Sequence, residues 1–181
     1  MNNYYSEKQY LFAVDKKDNI VGKVEKWEAH KKGVLHRGFT VILFYNDNIV
    51  LQQRRHPVFD GVLDMGFSSH QKYEDGHPKG DPSSIYEGLK REWSITKNDL
   101  IKPPKFLDKI YYRAKDSKSE YSEHEIDYIY SIELKNLPKP NLDFAYGYKL
   151  IEKTDLSSIL HPLYSNSIAP WVRKIITQIK F

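Results

Sequence analysis

The chain has 181 residues, a length that suits a single domain spanning 1–181, and its 40% apolar content is enough for a core. A net charge of +4 favours an anionic small molecule and is too diffuse to argue for a nucleic-acid surface. The absence of cysteine excludes disulfides, a thiolate nucleophile and cysteine-bound zinc, and no apolar stretch is long enough to cross a bilayer. The opening MNNYYSEKQY is polar and shows no signal peptide, so a cytoplasmic protein without membrane or nucleic-acid partners, monomeric or weakly dimeric, is expected.

In chain order, QYLFAVD (9–15) and IVGKVEKW (20–27) read as two strands joined by the turn KKDN. RGFTVILFY (37–45) and IVLQQR (49–54) flank Asn46-Asp47-Asn48, a hairpin signal, and GVLDMGFSSH reads as one further strand. In DPSSIYEGLKREWS, Asp81 suits an N-cap and Pro82 the first helical position, while Ile85, Leu89 and Trp93 form one apolar stripe. KFLDKIYYRA, EHEIDYIYSIEL and GYKLIEK read as strands, and two helical pieces close the chain, the last being APWVRKIITQI. With strands in excess and no regular βαβ alternation, the expected class is α+β with a mixed sheet.

Glu123 and Glu125 stand two apart in a strand-like segment, which puts both carboxylates on one face and His124 on the other. Such a pair repels unless a cation or a shared proton sits between them. Alternatively it is simply a solvated face. His30, His36 and His70 could add imidazole nitrogens, a donor set that suits zinc, manganese, iron or magnesium and leaves one open position in an octahedron. Spacing alone does not join residue 30 to residue 125. His56, His77, His124 and His161 read as surface or loop residues.

Taken in order, EKWEAH, LHRGFTVILF, LQQRR, SSH, KREWSI, YYRAKD, EHEIDYIY and APWV resemble the type I isopentenyl-diphosphate isomerases, a branch of the Nudix superfamily, from about residue 10 to residue 175. The resemblance implies a Nudix-like α/β/α sandwich around a mixed, mainly antiparallel sheet. It implies that His30, His36, His70, Glu123 and Glu125 bind one divalent metal (manganese, zinc or magnesium). A second cation, magnesium, would arrive with the diphosphate of an isoprenoid substrate and meet Glu92. Lys26 and Arg55, and less firmly Arg54, would hold the diphosphate. Glu125 would serve one end of a protonation–deprotonation that moves the double bond between isopentenyl and dimethylallyl diphosphate, with Tyr112 near the reacting carbon. Trp171 would stabilise the tertiary cation through its ring face.

The other end of that proton path carries a cysteine in the family, and Ser68 stands there. A thiol exchanges protons near neutrality, with an unperturbed pKa of about 8.5, whereas an aliphatic hydroxyl needs a neighbouring base or metal to do so. GVLDMGFSSH also lacks the W/F-T-N element, Gly88 replaces a common helix arginine, and Lys79 and Arg91 replace glutamates of the general Nudix signature. Isomerisation is therefore the leading expectation. The alternatives are a Nudix-type diphosphohydrolase using a metal-activated water, and a diphosphate-binding homologue without turnover.

Overall fold

In the computed structural model, which describes residues 3–74, 77, 78 and 80–180, a 3-10 turn (Asn3–Tyr5) leads into the hairpin of β1 (Tyr10–Val14) and β2 (Ile20–Glu25). α1 (Lys26–Lys32) follows, then β3 (His36–Tyr45), β4 (Asn48–Arg54), β5 (Leu63–Met65) and β6 (Phe67–His70). A short ladder of β7 (Tyr73–Glu74) and β8 (His77–Pro78) precedes α2 (Asp81–Trp93). β9 (Lys105–Lys115), β10 (Ser122–Glu133) and β11 (Ala145–Glu152) complete the strands. Two 3-10 stretches (Lys153–Leu160, Pro162–Ser167) then lead to α3 (Pro170–Gln178).

Both edges of β3 are used. β10 runs parallel along one of them, from Glu125 opposite His36 to Glu133 opposite Phe44. Because that edge is full, the antiparallel partners share the other: β1 at His36, β6 from Gly38 to Val41, and β4 at Phe44 and Tyr45. β9 pairs antiparallel with β10, and β11 with β4. The sheet is thus mixed and mainly antiparallel. The period-2 alternation of β3 then sorts the core into two layers. Phe39, Val41 and Leu43 pack with Ile85, Leu89 and Trp93 of α2, while Ile42 and Phe44 pack with Trp171, Val172 and Ile175 of α3. Helices on both faces give the sandwich.

Three expectations shift. The strand read over 20–27 stops at Glu25, whose side chain accepts from the Glu28 backbone N–H and caps α1, and Gly33 closes that helix in the left-handed region. Lys26 and Trp27 are therefore helical. GVLDMGFSSH breaks into β5 and β6 at Gly66, which has φ +66°; a Cβ there would lie 2.2 Å from the Val41 carbonyl oxygen. α2 takes Gly80 as N-cap, and Asp81 instead accepts from Gln71 and Tyr130.

Candidate metal and diphosphate site

The pairing around β3 brings the histidines together. His36 opens β3 opposite Glu125, and His70 ends β6 opposite Gly38, two residues further on. Glu123 lies on the same face of β10 as Glu125, while His30 comes in from α1, tied to β10 by the Ser122 hydroxyl donating to the His30 carbonyl at 3.1 Å. The three imidazoles form a nearly equilateral triangle, with ring centroids 5.0, 5.0 and 5.1 Å apart. Gly38 makes room: a Cβ there would lie 2.4 Å from Glu125 Oε1.

His30 and His36 donate from Nδ1 to the carbonyls of Lys26 (2.6 Å) and Val34 (2.8 Å), which fixes the tautomer and leaves each Nε2 with its lone pair. Those Nε2 atoms, His70 Nε2 and Glu123 Oε2 are buried without a hydrogen-bond partner. Donor atoms of His30, His36, His70 and Glu123 all lie within 4.8 Å of one another. Glu125 adjoins them, with Oε1 2.9 Å from His70 Nε2 and 3.4 Å from His36 Nε2. Four orphaned polar atoms aimed at one point are costly unless something positive binds them, and neutral imidazole with carboxylate is the donor chemistry of a divalent metal. The residues fit a metal ion.

Protonation is shaped by the same crowding. Burial opposes charge on His36, but Glu125 and Glu123 outweigh it and raise its imidazole above the ordinary value. Burial holds His70 down to about 4. For Glu125, burial acts upward, yet His36 and His70 keep the carboxyl well below the ordinary range. A divalent cation beside the same carboxylates would compete with a proton for His36 Nε2.

One cavity joins this cluster to the other expected residues: Lys26, Arg54, Ser68, Glu92, Tyr112 and Trp171 line it together with His70, Glu123 and Glu125. Tyr112 donates to Glu125 Oε2, and its hydroxyl is held protonated by burial and by that carboxylate. The Trp171 ring stands 5.7 Å from the Tyr112 ring, with Arg54 5.1 Å over its face. Glu92 is held by Arg91 at 2.7 Å and by Gln52 at 3.4 Å. Lys26 is buried, which lowers its ammonium pKa.

Ser68 Oγ donates to Asp64 Oδ1 at 3.0 Å and lies 2.8 Å from Thr40 Oγ1, itself 2.8 Å from Asp127 Oδ2. Burial and the neighbouring Glu125 carboxylate push the Asp127 carboxyl well above its usual range.

The two arginines exchange rank. Arg55 does not line the cavity; its guanidinium donates to the Leu142 carbonyl and lies over Tyr146. Arg54, the less firmly expected of the two, is the buried one. His56 lies in the loop after β4, as expected, but is half-buried and lines the cavity, and burial pushes its imidazole well down. The sequence reading also missed Tyr4, Tyr5, Gln52, Arg91 and Phe144, which complete the wall. A charge on a helix and aromatics beside a chain terminus carry no periodic signal, so only topology reveals them. Lys79 and the side chain of His77 lie outside the described residues.

The sheet and its helix layers define a Nudix fold. A Deinococcus radiodurans structure named DR0079 matches with TM-score 0.72 at 11% identity, over 96% of this chain and 100% of that one. A MutT NUDIX hydrolase from Burkholderia pseudomallei matches with TM-score 0.58 at 13% identity, over 81% and 98%. Within that fold the chain belongs to the isopentenyl-diphosphate Delta-isomerase family. It is 31% identical over 181 residues to Isopentenyl-diphosphate Delta-isomerase 1 of Mus musculus, covering 90% of this chain and 78% of the relative. To the protein of the same name from Mesocricetus auratus it is 30% identical, over 93% and 81%. No protein-family model matches the chain. Among the described residues no helix is long and apolar enough to cross a membrane.

Proposed function

We propose that this protein interconverts isopentenyl and dimethylallyl diphosphate. The observation that carries the reading is that His70, Glu123 and Glu125 of the histidine–glutamate cluster line one cavity with an indole face, the buried cations Lys26 and Arg54, and the half-buried Arg91. Cationic side chains suit a diphosphate, and an aromatic face suits a carbocation that has no hydrogen bond to offer.

His30, His36, His70, Glu123 and Glu125 would hold a divalent metal, which when bound supplies the charge that keeps Glu125 and Glu123 ionised side by side. A proton relayed from solvent through Tyr112 and Glu125, which are hydrogen-bonded at Glu125 Oε2, is added to the terminal carbon of the alkene. Trp171 faces the resulting tertiary cation. Ser68, on the same cavity, takes a proton from the carbon nearer the diphosphate, and the double bond forms there. Glu92 would meet magnesium carried in with the diphosphate, beside the Arg91 charge it already holds. Arg91 stands where the hydrolase signature has a glutamate, which disfavours diphosphate cleavage.

The test is incubation of the metal-reconstituted protein with isopentenyl diphosphate in deuterated water. Deuterium in dimethylallyl diphosphate is the expected result. Release of phosphate or monophosphate would make the protein a hydrolase, and binding without product would make it a scaffold.

A further inference from the structure

Asp64 is fully buried, and no expectation of the sequence concerned it. It falls in the stretch where the W/F-T-N element is missing. Its two oxygens nonetheless gather three of the residues to which the isomerase reading gives work. Oδ1 accepts from Ser68 Oγ at 3.0 Å, from Trp171 Nε1 at 2.8 Å and from the Met65 backbone N–H at 2.9 Å. Oδ2 accepts from Arg54 at 2.8 Å. Four donors hold both oxygens of this carboxylate in place between the three side chains.

The two halves of this reaction make unequal demands. Protonating an unactivated alkene needs a strong acid, whereas a tertiary carbocation surrenders a neighbouring proton readily. A serine hydroxyl can accept such a proton only if its own has somewhere to go. The Ser68 proton already points at Asp64 Oδ1.

We propose that Asp64 is the positioning residue through which Ser68 completes the deprotonation, so that a serine–aspartate pair stands in for the thiol. The inference rests on the isomerase reading. In the step, the C–H bond beside the cationic carbon breaks and its electron pair becomes the new C=C bond. Ser68 Oγ gains that proton while its own passes to Asp64 Oδ1, and Arg54 stays against Oδ2. After product leaves, Asp64 returns the proton to water. The same carboxylate fixes the indole N–H of Trp171, which ties the orientation of the cation-stabilising ring to that of the accepting hydroxyl.

Four forms separate this from a merely structural role: wild type, Asp64→Asn, Ser68→Cys, and both substitutions together. A thiol exchanges its own proton and does not need the carboxylate. Asp64→Asn is expected to lower kcat about 100-fold beside the native serine, the scale of a lost general base, and no more than about five-fold beside Ser68→Cys. KM rises by the same factor in both backgrounds, because Arg54 loses its partner in both. Equal kcat losses in the two backgrounds would make Asp64 a structural support and overturn the proposal, as would an unimpaired Asp64→Asn. Turnover by Ser68→Cys but not by wild type would also overturn it while leaving the isomerase pocket standing. Silence in both of those forms would remove the isomerase reading itself. Should Asp64→Asn fail to give a cooperative melt, Asp64→Glu, which keeps a charge for Arg54 but displaces the accepting oxygen, is read in the same two backgrounds by the same criterion.

Discussion

Glu125 occupies the space that a side chain at residue 38 would fill, and this fixes how closely the carboxylate approaches the His36 and His70 rings. Gly38→Ala should therefore displace the carboxylate while leaving every donor atom present. Displaced orienting groups typically weaken metal affinity about 10–100-fold, and a drop of that size is expected when the variant and wild type compete for zinc or manganese against a chromophoric chelator. His70→Ala, which removes a donor outright, should carry less than stoichiometric metal by elemental analysis after the same reconstitution. If the wild type takes up no metal, the cluster has another purpose. The histidines and glutamates were readable one by one, since residue type and the i, i+2 spacing on a strand are local properties. Their convergence was not, because it depends on β3 pairing with β6 and, across more than 80 residues of chain, with β10, as in the Glu125–His36 rung. Arg54 and Arg55 show the limit within a single dipeptide. Which of two adjacent arginines points inward is decided by the strand's pleat, and no feature of QQRR states it.

At the scale of elements, α2 was legible because its apolar stripe repeats at helical spacing, and its start was misplaced by one residue. α1 was missed because Lys26–Lys32 is only seven residues long, too short for a period to show, and follows directly on a strand. Its cap signals were there in Glu25 and Gly33, on either side of a helix whose last turn is basic. α2 also explains why the helix arginine expected near residue 88 has no place here. A Cβ on Gly88 would lie 2.3 Å from the Phe67 ring, and Phe67 is fully buried between α2 and β3. The cation that reaches the cavity from this helix is instead Arg91, a little less than one turn further on. Gly88→Ala is accordingly expected to destabilise, although Ala is the better helix former. The overpacking cost is about 1–3 kcal/mol against a propensity gain of about 1 kcal/mol. A lower midpoint in urea with an unchanged slope would show it. A higher midpoint would mean that Phe67 yields without strain.

Over the whole molecule, the β1–β2 hairpin is joined to the rest of the sheet by few rungs, Ala13 with His36 of β3 and an isolated bridge of Leu11 with Lys72. Asp18 in the hairpin turn supplies the missing attachment. Its carboxylate accepts from Arg37 Nε of β3 at 2.6 Å, from Lys109 of β9 at 2.9 Å and from the Tyr128 hydroxyl of β10, while Arg37 also reaches its backbone carbonyl at 2.7 Å. Burial pushes the Asp18 carboxyl up, but Tyr128, Lys109 and Arg37 outweigh it, and the folded-state pKa lies below the ordinary 3.8. A carboxyl depressed on folding contributes stability that is fully present above the unfolded value and is lost as pH falls through the folded one. Asp18→Asn keeps a residue tolerant of the positive φ found there while removing the charge. Against wild type it should cost about 1–3 kcal/mol at neutral pH, the scale of hydrogen bonds to a charged group. That gap should hold down to about pH 4 and then narrow as the pH drops further. Urea titrations of both proteins between pH 7 and pH 2 measure it directly. A gap that does not narrow in acid would mean that the turn is held by its backbone and by Arg37 packing, leaving the charge without a part in seating the hairpin over the edge of β3 where His36 begins.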